Sequence, residues 1–94
     1  MEMDCGHIET RLRISKELKK GYNRILEEID RDFAGQDQRQ IKKIVEEIKN
    51  DLKSIRIPYS GLGKLKKYEK IYNLALPWVM KVIDFIMKNG SFDM

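Results

Sequence analysis

The feature that most constrains the fold is a stripe of branched apolar residues in the middle of the chain. Its members, at alternating steps of three and four, are Ile41, Ile44, Ile48, Leu52 and Ile55. Because an α-helix has about 3.6 residues per turn, this spacing places them along one helical face. The opposite face carries charges of both signs, which is typical of a solvated surface. The pattern predicts an amphipathic helix over about residues 38–55.

The first third of the chain shows the same period. Its apolar residues are Ile8, Leu12, Leu18, Tyr22, Ile25, Ile29 and Phe33. The spacing predicts a helix over about residues 7–33, with Asp4 as its N-cap. We expect a bend near Gly21, because glycine in a helix costs up to about 1 kcal/mol relative to alanine. Gly35 is expected to end this helix, and Asp37 to cap the next one.

The last third carries a longer stripe that crosses a proline. Its apolar residues are Leu65, Tyr68, Tyr72, Ala75, Val79, Val82 and Ile86. Pro77 cannot donate a backbone hydrogen bond, and its ring clashes with the carbonyl of Asn73, so the helix must kink or restart there. We therefore predict a helix over about residues 62–89, kinked or split at Pro77.

These segments together predict an all-α fold. No internal repeat and no useful length of strand-like alternation appears along the chain. A chain of 94 residues has room for one hydrophobic core. We expect residues 1–94 to form a single up-down-up bundle of three helices. The last helix is long and kinked at Pro77, and the bundle has four helices if the chain splits there.

The sequence also gives an expectation for the cellular location of the protein. The most apolar segment, residues 74–87, contains charged residues and is shorter than the roughly 20 apolar residues that span a bilayer. The acidic residues 1–4 do not resemble a secretory signal. Cys5 is the only cysteine, which excludes an intrachain disulfide. We therefore expect a cytoplasmic protein, and membrane binding is disfavoured.

A glycine-rich stretch, Gly61-Leu62-Gly63-Lys64, invites comparison with nucleotide-binding loops. A P-loop needs a glycine where this chain has Pro58, and a serine or threonine where it has Leu65. The stretch therefore favours a glycine-containing turn before a helix capped by Ser60, rather than a nucleotide site.

The sequence offers little for catalysis or metal binding. Cys5 and His7 are the only cysteine and histidine, too few to complete a zinc site within one chain. No third group is visible that would orient them as a nucleophile and base. We expect no enzyme activity, no metal, no cofactor and no small-molecule substrate.

The formal charge of +4 is concentrated in one stretch. Residues 1–55 contain equal numbers of bases and acids, because a basic run over residues 11–24 is offset by an acidic cluster over residues 27–32. The surplus lies in a patch of Lys64, Lys66, Lys67 and Lys70. Such a patch binds phosphates without reading sequence, so a small basic nucleic-acid-binding protein is the alternative function. The same contact could include Arg11, Arg13, Lys16, Lys19 and Lys20.

The leading function comes from residues 74–87, where apolar side chains cover more than one helical face. Either the bundle itself covers the excess, or a partner does. The candidate interface residues are Trp78, Met80, Phe85 and Met87. We therefore predict a non-enzymatic interaction protein, an accessory, regulatory or assembly subunit. It binds a protein partner, or forms a homodimer, through helical surface.

Overall fold

A computed structural model describes the backbone of residues 2–92 and the side chains of residues 12–92. The described chain is all-helical, which confirms the predicted class. None of its helices combines the length and apolar character needed to cross a membrane. The four helices are α1 (Glu2–Asp32), α2 (Gly35–Lys53), α3 (Tyr59–Leu65) and α4 (Glu69–Asn89).

Helix α2 buries most of the central stripe. Its buried residues are Ile41, Ile44, Val45, Ile48 and Leu52. Ile55 was expected to continue the stripe but is exposed, because α2 ends at Lys53 and Ile55 takes a left-handed conformation with φ of 59°. Ala34 occupies the N-cap, so the expected cap by Asp37 is wrong, and Asp37 lies inside the first turn.

Helices α1 and α2 run antiparallel. Near their connection, the Lys42 ammonium lies 2.6 Å from the Asp30 carboxylate. Farther along, the Lys49 ammonium lies 5.0 Å from the centroid of the Tyr22 ring. Residues later in α2 therefore meet residues earlier in α1.

Helix α3 turns back along α2. Gly61 lies against the side chain of Ile48, and the Lys64 ammonium is 3.2 Å from the Glu47 carboxylate. Lys67, just after α3, lines a groove with residues as early in α2 as Gln40. The chain thus returns toward the start of α2 before α4 begins.

Helix α4 then reverses direction again and packs mainly against α1. Lys70, at its start, lies 2.6 Å from Asp32 near the end of α1, whereas Trp78 contacts Leu18. The four helices therefore alternate in direction, and the third is short. The predicted long third helix is divided at residues 66–68 rather than at Pro77, and the division is a reversal rather than a kink.

The positions of two buried side chains explain this break. Leu65 and Ile71 are both fully buried, although six residues in a continuous helix would place them about 120° apart. The turn between α3 and α4 lets both reach the core. Helix α4 continues through Pro77, which lies on the exposed side, where water is available to the carbonyl that proline leaves unbonded.

Helix α1 is longer than the helices that pack against it. It has 31 residues against 21 in α4, a difference of about 15 Å at 1.5 Å per residue. Among the described side chains its buried residues begin at Leu18. Leu12, an expected core residue, is 58% exposed, and Ile8 lies outside the described side chains. None of the side chains of residues 12–17 is buried. The expected cap by Asp4 is also wrong, because α1 begins at Glu2.

Candidate interaction surfaces

The predicted lysine patch does not form one helical face. Lys64 ends α3 and pairs with Glu47 of α2. Lys70 belongs to α4, and Asp32 of α1 holds the pKa of its ammonium above the ordinary value, chiefly by a hydrogen bond. Lys66 and Lys67 lie in the turn between these helices. Two of the four lysines are therefore neutralised by acids from other helices.

The glycine-rich stretch beside this patch serves helix packing. A Cβ atom added to Gly61 would lie 2.5 Å from Cγ1 of Ile48, so only glycine permits this approach of α3 to α2. Ser60 lies inside α3, whose N-cap is Pro58, so the expected cap by Ser60 is wrong. The stretch shows no cradle for a phosphate group.

Trp78 was a predicted interface residue, but the structure places it inside the bundle. Its side chain is 5% exposed, and its indole N–H donates a hydrogen bond of 2.7 Å to the carbonyl of Leu18. Its ring lies 5.5 Å from that of Tyr22 on α1. Phe85, a second candidate, is also buried. The folded chain does not present either ring to a partner.

Phe92 explains how these two rings are covered. Helix α4 ends at Asn89, the following Gly90 is left-handed, and the chain folds back so that Phe92 is 2% exposed. The Phe92 ring lies 6.1 Å from that of Trp78 and 6.4 Å from that of Phe85. Sequence reasoning missed this residue. The available signal was an apolar residue two positions after a glycine that ends a helix, because such residues often pack back on the last turn.

Met80 and Met87, the other two predicted interface residues, are 59% and 80% exposed. Leu76 and Ile83 are half-buried and lie on the same side of α4, because the four residues follow one another at steps of four, three and four. We call these four residues the α4 seam. The sequence prediction included the methionines but not the two residues that complete the seam.

A groove between α1 and α4 is a separate feature. It has a volume of about 430 Å³, and its lining includes Ile14, Leu74, Pro77 and Trp78. The charged residues along it are Glu17, Arg24, Lys81, Asp84 and Lys88. The lining thus mixes apolar surface with charges of both signs.

The outer face of α1 carries a row of cations. Arg13, Lys16, Lys20 and Arg24 follow one another at steps of three, four and four, and all are exposed. We call them the α1 basic stripe. The sequence prediction included Arg13, Lys16 and Lys20 of this stripe, but not Arg24. It treated them only as an addition to the lysine patch, because the acids that follow in the sequence offset their charge.

The described residues contain no group of three histidine, cysteine, aspartate or glutamate side chains able to hold a metal ion. Cys5 and His7 lie outside the described side chains. The chain matches no family model, no curated protein and no solved structure.

Proposed function

We propose that this protein is a non-enzymatic interaction protein, an accessory, regulatory or assembly subunit that binds a protein helix through the α4 seam. The observation that carries the proposal is the exposure of Met80 and Met87 on a helix whose opposite face is already filled. The bundle buries Trp78 and Phe85 with its own residues yet leaves these methionines to solvent. An apolar row of this kind on a folded chain is typical of a contact surface.

The spacing of the seam suits a helical partner. Steps of four and three are those by which one helix presents a seam to another in coiled-coil packing. Leu76 and Ile83 provide branched side chains, and the methionines have flexible thioethers that adapt to an irregular partner. Asp84 and Lys88, which form an ion pair of 3.2 Å beside the seam, supply a polar rim.

A second copy of the chain is the first partner to test. Sedimentation equilibrium across a wide concentration range should show self-association that the double variant Met80→Lys/Met87→Lys abolishes. The matched control is Ile57→Lys, which places a lysine at an exposed apolar residue outside the seam. Since all three side chains are exposed, the variants should fold like the parent chain.

A different protein partner is tested by photo-crosslinking in extracts of the source cells. A crosslinker at position 80 should capture a defined protein that a crosslinker at the exposed Tyr59 does not. The captured protein should then bind the purified chain, and the double methionine variant should weaken this binding at least tenfold. A monomer at every concentration, with equal capture from both positions, would contradict the proposed function.

A further inference from the structure

The α1 basic stripe retains its charge in the folded protein. Over residues 12–26 the chain has five bases and one acid, Glu17, a surplus equal to the formal charge of +4 of the whole chain. The bases of the stripe have no acidic partner among the described side chains. In this segment the outer face of α1 is therefore strongly positive.

Three of the four acids that offset this charge in the sequence are engaged elsewhere, whereas Glu27 is exposed and follows Arg24 by three positions. Glu28 and Asp32 lie beside Lys70 of α4, at 3.7 and 2.6 Å. Asp30 accepts from Lys42 and Gln38 of α2, and these contacts hold the pKa of its carboxyl below the ordinary value. The acidic end of α1 thus binds the other helices.

Distance along the helix also separates the two charged regions. Asp30 lies fourteen residues after Lys16, or about 21 Å along the axis. The Debye length at physiological ionic strength is about 8 Å, so the acids hardly reduce the potential at this lysine. The early part of the basic run is therefore not balanced by the acidic cluster.

We infer that the α1 basic stripe binds the phosphate backbone of a nucleic acid without reading its sequence. The stripe covers about 16 Å of helix axis, a length along which one strand of duplex DNA carries about five phosphates. Arg13 and Lys16 precede the first described buried residue, Leu18, and both side chains are exposed, so a strand can approach them. This inference concerns a different surface from the α4 seam and goes beyond the proposed function.

The composition of the stripe favours phosphate over an acidic protein. Protein interfaces depend on a few buried aromatic or apolar anchors. Near the stripe, the described part of α1 exposes no aromatic ring and only two large aliphatic side chains, Leu12 and Ile14. Phosphate contacts need only cations at suitable spacing.

A membrane surface is a poorer match for the same reason. A helix that lies on a membrane needs a broad apolar face opposite its cations. Here the opposite face, which includes Leu18, Tyr22 and Ile25, is buried in the bundle. Leu12 and Ile14 are the large exposed apolar residues of α1 among its described side chains. Two such residues do not form a broad face.

Fluorescence anisotropy with a labelled duplex of about 20 base pairs and mixed sequence tests the inference, since this duplex is longer than the stripe. Binding should weaken with salt at a slope of about −3.6 in log K against log salt, as expected for four phosphate contacts. The variant Lys16→Gln/Lys20→Gln should reduce the slope to about −1.8, as expected for two. A second duplex of different sequence should bind with the same affinity.

The matched control is Lys66→Gln/Lys67→Gln, which removes the same charge from the turn between α3 and α4. It should leave both affinity and slope unchanged. An equal loss in both variants would show that net charge alone drives binding and would overturn the inference, as would no binding at low salt. Polyglutamate and vesicles with anionic lipids serve as competitors, and tighter binding to either one would replace nucleic acid with an acidic protein or a membrane.

Discussion

Gly21 shows how one missing side chain sets the packing of α1 on α4. A Cβ atom at this position would lie 2.7 Å from Cδ1 of Trp78, closer than real Cβ contacts allow. The absence of that atom lets the indole approach α1 and donate its N–H to the carbonyl of Leu18. A bend is expected at Gly21, and α1 continues through it as one helix. Gly21 thus weakens α1 locally but permits the close contact between α1 and Trp78.

The variant Gly21→Ala should therefore destabilise the protein. Helix propensity alone favours alanine by up to about 1 kcal/mol, but the clash with Trp78 forces a shift in a filled core. Overpacking of this kind costs about 1–3 kcal/mol, so we expect a net loss of stability and a lower urea midpoint. Trp78 fluorescence should shift to longer wavelength as the ring becomes more exposed.

Gly63→Ala is the matched control. An added Cβ at Gly63 meets no atom within 4 Å, and the residue lies inside α3. This variant should raise the free energy of unfolding by up to about 1 kcal/mol. If the two variants stabilised the protein equally, the close approach of Trp78 to α1 would be wrong.

At the scale of elements, the ends of α4 decide which of its residues are buried. The turn at residues 66–68 sets the start of the helix, and Ile71 rather than Tyr72 becomes fully buried. The chain after Gly90 then places Phe92 over Trp78 and Phe85. A helix with too many apolar residues for one face is thus covered partly by its own continuation.

Phe92→Ala should expose this part of the core. Truncating a buried phenylalanine costs about 3–5 kcal/mol, and we expect about 3 kcal/mol because Phe92 lies outside the helices, where the backbone can adjust around the gap. The denaturant midpoint should fall, and Trp78 emission should shift to longer wavelength. The control Met87→Ala truncates an exposed residue of the same helix and should change stability by less than about 0.5 kcal/mol. Equal, small effects of both variants would mean that Phe92 does not cover the core in solution.

For the molecule as a whole, packing between helices makes the free energy of unfolding depend on pH in the alkaline range. Burial, and to a lesser degree the nearby Glu46 carboxylate, raise the pKa of the Tyr22 hydroxyl. The hydrogen bond from Lys70 to Asp32 raises the pKa of Lys70. In both cases the folded protein holds the proton more tightly than the unfolded chain. The resulting stability is fully present below about pH 10 and is lost as pH rises through the folded pKa values.

We therefore expect the free energy of unfolding to be lower at about pH 11 than at about pH 9, as measured by urea denaturation. Tyr22→Phe should reduce this alkaline loss, because phenylalanine has no proton to release. Tyr59→Phe is the control, since Tyr59 is exposed, and it should leave the pH dependence unchanged. An alkaline loss of the same size in Tyr22→Phe and the parent chain would show that the buried hydroxyl does not contribute.

Local periodicity was enough to predict which segments are helical and most of what they bury. The stripes of α1 and α2 are in the core from Leu18 to Leu52, because apolar residues at steps of three and four lie on one face of an α-helix. The exposure of Met80 and Met87 also followed from their positions outside the main register. These properties depend on neighbours within a few turns of the same helix.

The tertiary structure alone decided the direction of the chain and the charge of its surfaces. The reversal before α4 lets Leu65 and Ile71 both reach one core. The spacing of apolar residues along a helix does not specify which other helices will pack against its apolar face. Lys70 is neutralised by an acid 38 positions earlier, so its charge in the sequence says little about its charge in the fold. Among the described side chains, ion pairing thus leaves two of the four patch lysines without an acidic partner and leaves the α1 basic stripe unpaired, because it depends on distance in space and not on separation along the chain.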